Sequence, residues 1–375
     1  MRVLIAPDKF KGSLTAAAAA AAIAAGAARA LPGATFDLCP LADGGEGTAG
    51  CLLEVLGGTE VDVPVTGPLG EARQARLVIL ADGTAVVEMA RASGLALLDP
   101  GSYQPLHATT RGTGELLKAA AARGPRRILV GLGGSATVDG GAGMAQALGI
   151  RLLDAGGHDL PPGGGALERL ARIDASGLDP VWHELEVVAL CDVANPLLGP
   201  DGAATVYGPQ KGATPPMVAR LERGLTRLAE LLDARLGVAV ASLPGAGAAG
   251  GLGAGLAGFL GAALLPGAGV VLEQVGFAGR LEGASLLITG EGAYDSQTGF
   301  GKAPGEAVRR AAGAGVPALI LAGSVRAAAP PGAVALSIVP GPATLGEAML
   351  NAPAWLEEAA YRATALLALR LRVPS

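Results

Sequence analysis

Asp8-Lys9-Phe10-Lys11-Gly12-Ser13 packs a carboxylate, two ammonium groups, a glycine and a hydroxyl into six positions directly after an apolar run, Arg2 to Ala6. If that run is a parallel strand, its carboxyl end opens onto the ligand crevice of an α/β sheet. Ammonium groups there suit phosphate oxygens, and a carboxylate suits a hydroxyl proton. Asp43-Gly44-Gly45-Glu46-Gly47-Thr48 has a similar make-up. Two carboxylates separated by glycines fit a magnesium shell or a substrate hydroxyl. Either acid equally fits the start of a helix, where it complements exposed amides.

Gly131-Leu132-Gly133-Gly134-Ser135-Ala136-Thr137 follows another apolar run and precedes a helix expected to contain Asp139. Closely spaced glycines free backbone amides for an anion, and a helix N-terminus adds to them. The chain has no GxxxxGK[ST] string, so this is no Walker loop. Gly131, Gly133 and Ala136 do fit the looser GxGxxA pattern, with Asp154 further on. That leaves an NAD(P)-dependent oxidoreductase acting on a small hydroxy acid as the alternative to phosphoryl transfer.

Asp192 and Asn195 lie in Cys191-Asp192-Val193-Ala194-Asn195-Pro196, again after an apolar run. An aspartate there can accept a hydroxyl proton or hold magnesium, with Asn195 as a further oxygen donor, and an Asx turn is the bland reading. Lys211 lies in Gly208-Pro209-Gln210-Lys211-Gly212, ahead of a long amphipathic segment. Glu291, Asp295 and Lys302 belong to a cluster running from Thr289 through Ser296, Gln297 and Thr298 to Lys302. Arg111 is a candidate clamp for a substrate carboxylate, because its fork matches one in two bonds. Lysine usage sharpens these choices. Of 28 basic residues only Lys9, Lys11, Lys118, Lys211 and Lys302 are lysines, and all but Lys118 fall in these loop segments. A compact ammonium reaching phosphate is a reason to keep lysine where arginine serves elsewhere. The three histidines have neither metal-ligand nor triad spacing.

The elements that must hold these residues follow from pattern. The chain opens β-α-β-α: a strand to Ala6, an Ala-rich helix from Ser13 to about Leu31 capped by Ser13, a strand from Thr35, and a helix beyond Gly47. The far end reads as strands at Ser285–Thr289, Pro317–Leu321 and Ala333–Val339, a helix at Lys302–Ala314, and a last helix from about Trp355. The middle is β-rich from Val61 to Met89 and then mixed. The fold class is therefore α/β: a three-layer Rossmann- or flavodoxin-like parallel-sheet domain, discontinuous over residues 1–65 and 285–375. A mixed α/β domain, 66–284, is inserted in it, with the substrate cleft expected between the two.

Composition excludes several function classes. Net charge is −5 and no basic block occurs, so neither nucleic acid nor an anionic membrane surface is an expected partner. Cys39, Cys51 and Cys191 lack zinc or disulfide spacing, which fits a reducing, cytoplasmic setting. The uncharged stretch Ala246–Leu265 is long enough to span a bilayer. Its many glycines and missing basic flank read instead as a loop entering a buried helix. Sixty of 375 residues are glycine, well above the usual ~7%.

Taken together, the strings APDKFKGSLTA, PLADGGEGT, TTRGTGELL, VGLGGSATVDGGAGMAQALG, CDVANPLLGP, GPQKGAT, LPGAGAAGGLGAG, ITGEGAYDSQTGFGKAP and LAGS resemble the glycerate kinase type I family, in family order from residue 4 to about 324. The resemblance implies ATP, magnesium and D-glycerate as ligands, with the 2-hydroxyl as acceptor, and a monomer or homodimer. It marks Asp8, Lys9, Lys11, Asp192 and Lys211 as catalytic, and Asp43, Arg111, Asn195 and Lys302 as substrate-binding. Gly133, Gly134, Ser135, Thr137 and Asp139 become nucleotide-binding, and Asp192, Glu291 and Asp295 metal ligands. Asp8 and Asp192 stay open as the base. Two departures stand out: Val138 where the family commonly has Asn, and Ala293-Tyr294 where a pair often begins with Arg.

Overall fold

The computed structural model describes residues 1–295 and 301–370. Ser296, Gln297 and Thr298, which the sequence grouped with Glu291 and Asp295, lie outside the described residues. The strands, labelled in chain order, are β1 (Arg2–Ile5), β2 (Thr35–Leu38), β3 (Gly58–Thr66), β4 (Ala72–Leu80), β5 (Thr84–Glu88), β6 (Arg127–Gly131) and β7 (Arg151–Leu153), then β8 (Arg172–Asp174), β9 (Glu186–Leu190), β10 (Ala263–Leu265), β11 (Leu286–Tyr294), β12 (Ala318–Val325) and β13 (Ala333–Ser337). The chain forms two compact units. One holds Met1–Asp43, Gly50–Val55 and the chain from Ala268 on; the other holds Gly44–Ala49 and Leu56–Gly267. The sequence placed the changeovers near residues 65 and 284. Pairing accounts for part of the difference: β3 pairs with β4 along its whole length, from Gly58↔Leu80 to Thr66↔Ala72, which ties residues 58–66 to the second unit.

The first unit is a five-stranded sheet of order β13-β12-β11-β1-β2, every neighbouring pair parallel. Numbered within the sheet, that order is 2-1-3-4-5, the flavodoxin-like winding whose switch point lies between its first and third strands. Here those strands are β1 and β11. Val3, Ile5, Leu286, Ile288, Leu319 and Leu321 face one side and pack against Ala19, Ile23, Ala27, Leu356 and Ala360 of two helices, Ala16–Ala30 and Leu345–Arg370. Leu4, Leu287 and Ile320 alternate with them and are just as buried, so both faces are covered. The two helices are Ala-rich and their backbones nearly touch: a Cβ on Gly26 would collide with the Glu357 carbonyl.

Local chemistry moves some helix ends. The first helix starts at Ala16, not Ser13, because the Thr15 hydroxyl accepts the Ala18 amide at 3.1 Å and caps it. The final helix starts at Leu345, some ten residues before the sequence expectation, and carries Pro353 inside it. Thr344 opens it, its hydroxyl and amide both donating to Glu347 at 2.8 Å. The β11 strand runs on to Tyr294, so Gly290–Ala293, read as a loop, is strand paired with β12.

The second unit is built on a six-stranded mixed sheet, β10-β9-β6-β5-β4-β3, in which β3 and β4 are antiparallel. The segment Ala248–Leu260 is buried along its whole length; it is left-handed at Ala249–Gly251 and helical from Leu252 on. That explains the uncharged stretch, and among the described residues no helix is long and apolar enough to cross a membrane. Many glycines here serve packing. Gly255 would drive a Cβ to 2.5 Å from the Gly140 carbonyl, and Gly250 (φ +68°) would meet the Thr137 carbonyl. The helix backbone thus lies directly on the Gly131–Gly141 loop.

Candidate active site

In the first unit, the strand ends at the switch point line a cavity of about 580 Å³. Asp8, Lys9 and Lys11 come from the turn after β1, Asp43 from the segment after β2, Glu291 and Ala293 from β11, Ser324 and Arg326 from the end of β12, and Lys302 from the cap of helix Ala303–Gly313. Phe10, Ile338, Val339, Leu345, Ala348, Met349 and Ala352 add an apolar lining. Six of the sequence-marked residues thus meet here. Ser324, Arg326 and the apolar wall were not marked. Ser324 lay in the LAGS string, whereas Arg326 had no signal.

The β1 turn is held open by its own hydrogen bonds. Asp8 and Phe10 donate their amides to Gly290 and Leu14 at 2.8 and 2.9 Å. Asp8 is 5% exposed, and one of its oxygens accepts the Lys9 amide at 2.6 Å. Burial pushes its carboxyl up to about 7 against the pull of the Lys9 ammonium, with nearby Asp43 and Glu291 adding repulsion. A carboxyl poised there can exchange a proton near neutral pH. Lys9 Nζ stands 3.5 Å from Asp43, and Lys302 Nζ 3.7 Å from Glu291. Lys11 and Arg326 have no ion pair with another described residue.

In the second unit, Gly133–Thr137 turns back on itself, and Lys211 props it from inside. Lys211 is 2% exposed, and its Nζ donates to Ser135 Oγ at 2.6 Å and to the Thr137 carbonyl at 2.7 Å. Burial pulls its ammonium down to about 7, with the Asp139 charge opposing. In this arrangement the amine braces the loop. Asp139 likewise braces the backbone around it. It is fully buried, and accepts the Thr110 amide and hydroxyl at 2.8 and 2.9 Å and the Gly141 and Gly143 amides at 3.2 Å. Burial raises its carboxyl while these donors resist. Thr137 Oγ1 is buried and has no hydrogen-bond partner among the described residues. Gly133 and Gly134 stay accessible. Gly133 is required because a Cβ would sit 2.9 Å from Gly45 Cα.

The helix after this loop begins only at Ala142 and is six residues long. The expected helix N-terminus at the glycines is therefore absent, and with it the geometry a GxGxxA dinucleotide site needs. Buried Val138 packs in the second unit's core, and small Ala293 leaves the first unit's cavity open beside Glu291.

The remaining residues are engaged locally. Arg111 begins the helix Arg111–Ala121, and its Nε is 3.3 Å from Glu115. Asn195 donates to the Asp201 carbonyl at 2.9 Å and accepts the Tyr207 hydroxyl at 2.8 Å, the work of a loop brace. Asp192 accepts the Gly267 amide at 3.0 Å. Asp295 follows β11 directly but is not among the residues lining the cavity. No group of three or more His, Cys, Asp or Glu side chains among the described residues could hold a metal ion by itself.

Similar proteins match this chain over most of its length. A glycerate kinase of Bacillus subtilis (strain 168) is 47% identical over 366 residues, covering 96% of each chain. A glycerate 2-kinase of Escherichia coli (strain K12) is 45% identical over 305 residues, 81% of this chain and 80% of the relative. A crystal structure described as a candidate glycerate kinase 2 from Salmonella typhimurium LT2 superposes with a TM-score of 0.91 at 44% identity, covering 100% of both chains. The model of the glycerate kinase family matches residues 3–368. With that match over nearly its whole length, the chain belongs to the glycerate kinase family and is a kinase.

Proposed function

We propose that the enzyme transfers the terminal phosphoryl group of ATP to the 2-hydroxyl of D-glycerate, giving 2-phosphoglycerate with magnesium present. The observation that carries this reading is Asp8: a buried carboxyl raised to about 7, among lysines, at the switch point of a parallel sheet. Asp8, ionised, takes the proton of the acceptor hydroxyl as its oxygen bonds to phosphorus and the bond from phosphorus to the leaving diphosphate oxygen breaks. Lys9, Lys11 and Lys302 hold and neutralise phosphate oxygens through this displacement. Preference for the 2-hydroxyl draws support from the name of the Escherichia coli relative.

The donor set suits magnesium, which needs only one or two carboxylates when phosphate oxygens and water supply the rest. Glu291 and Asp43 are cavity carboxylates able to hold it, and Asp192 and Asp295 are further carboxylates that follow strand ends. When bound, the ion supplies charge neutralisation on phosphate oxygens. In the second unit, the Gly133–Ser135 amides, stiffened from within by Lys211, offer neutral donors to an anionic oxygen, and the Arg111 guanidinium suits a carboxylate. ADP release with D-glycerate and magnesium, followed by phosphorus NMR of the product, tests the reading. No glycerate-dependent ADP removes it, and a 3-phosphoglycerate signal removes the regiochemistry.

A further inference from the structure

The first unit's cavity has two chemically distinct kinds of lining. Its lining combines Asp8, Lys9, Lys11, Asp43, Glu291, Lys302 and Arg326 with an apolar wall in which Leu345, Ala348, Met349 and Ala352 lie on one face of a single helix, beside Phe10, Ile338 and Val339. D-Glycerate, a three-carbon acid with polar groups on every carbon, has no use for the apolar wall. Yet that wall is held in place: the Ser13 hydroxyl donates to the Met349 carbonyl at 2.5 Å, and Gly12 (φ +78°) sits so close to Met349 Cε that a Cβ would collide with it. Leu345, at the start of the wall, is 77% exposed. An open apolar surface beside a cationic patch is the profile of a site for a flat aromatic ring joined to a polyanion.

We propose that this wall receives the purine base of the nucleotide donor, with the phosphates running toward Lys9, Lys11 and Lys302. The inference rests on the kinase reading above and assigns the donor's base to the first unit. Three observations carry it. The cavity opens at the switch point between β1 and β11, where sheets of this winding take nucleotide-like ligands. Its volume of about 580 Å³ is in the range that encloses a ligand of nucleotide size. Its charge suits phosphates, since Lys11 and Arg326 add positive charge that no described carboxylate pairs with.

The larger hollow of the second unit, about 940 Å³ around Leu95–Leu98, Tyr103 and Gly134, lacks that charge. Its arginines are already paired: Arg73 with Glu71, Arg76 with Glu60 and Asp62, and Arg91 with Glu88.

The test is direct binding, read by calorimetry with ADP plus magnesium and, separately, with D-glycerate. Ala348→Trp fills the wall, Leu345→Asp charges its exposed rim, and Ala96→Trp fills the second unit's hollow as the comparison. The expected result is an ADP Kd raised at least tenfold in the first two variants, a glycerate Kd within twofold of the parent, and no effect of Ala96→Trp. Leu345→Asp changes an exposed side chain, so its loss of ADP binding is not a folding defect; thermal melts check this for Ala348→Trp. Parent-like ADP affinity in both wall variants overturns the inference while the kinase reading stands, as does weakened ADP binding in Ala96→Trp. Loss of glycerate affinity in place of ADP affinity makes the wall an acceptor site and also overturns it. A parent protein that binds no ADP overturns both readings.

Discussion

The ε-amino group of Lys211 lies 2.6 Å from the Ser135 hydroxyl, with no room for a ligand between them. A lysine in a loop rich in glycine invites assignment to phosphate, but this one is buried to 2% exposure. A neutral amine has two N–H groups, matching its two acceptors, Ser135 Oγ and the Thr137 carbonyl. These two bonds tie it to the loop.

Lys211→Met removes both bonds and leaves two buried acceptors unmade, a cost of about 1–3 kcal/mol. The folded-state pKa of about 7 lies below the free value of 10.5. Stability from this group is therefore complete above pH 10.5 and drains away as pH falls through about 7. The variant's deficit against the parent, measured by urea melts, is expected to grow from pH 7 to pH 9. A deficit that does not change with pH contradicts the buried, depressed amine.

Asp8→Asn is expected to lower kcat at least 100-fold, in line with the loss of a general base. In the parent, kcat/KM should rise with pH through about 7, and this limb should vanish in the variant. The linked stability has the opposite sign to that of Lys211. The folded pKa of about 7 exceeds the free value of 3.8, so the contribution is whole below pH 3.8 and lost as pH rises through about 7. The Asn variant should therefore melt higher than the parent at pH 8, with the gap narrowing at pH 5.5. A variant that melts lower at pH 8 argues against a buried, strained carboxyl.

Lys302→Met deletes a cation 3.7 Å from Glu291 at the cavity edge. Losing one charge-stabilising group costs on the order of 3 kcal/mol in the transition state. The expected drop in kcat/KM is 10- to 1,000-fold with an unchanged melting temperature, since Lys302 caps its helix with backbone alone. Steady-state kinetics beside a thermal melt separates the two.

Gly133→Ala places a methyl 2.9 Å from Gly45 Cα, where the obstruction is backbone. Overpacking of this kind costs about 1–3 kcal/mol. The expected result is a lower melting temperature together with a weaker response to substrate, whereas Gly47→Ala, which meets no neighbour but has φ +94°, should show backbone strain alone.

The outer strands and the β1 turn were legible because apolar runs and Gly-Asp-Lys turns are local signals. Asp8, Lys9 and Lys11, which line one cavity, stand out in the sequence for that reason. What Lys211 and Asp139 do was not legible, since burial depends on contacts from distant segments such as Thr110 and Ser135. The start of the last helix was missed because Pro353 reads as a stop, although here the helix runs through it. The apolar wall escaped notice because Ile338 and Met349 look like ordinary core residues until the fold sets them beside lysines. The excess of glycine was half understood: Gly133 lies in an accessible turn, while Gly250 and Gly255 exist to let a helix rest on a loop.

The sheet order of the first unit has a consequence for synthesis. On the ribosome β1 and β2 emerge at once, but β11, the other neighbour of β1, is about 280 residues away. The stretch 56–267 is nearly contiguous and can collapse as soon as it clears the exit tunnel. Meanwhile the nascent amino terminus waits with an open strand edge, a standing invitation to mispairing and a natural client for chaperones. Slowing translation after residue 267 should prolong that exposure and lower the yield of native enzyme.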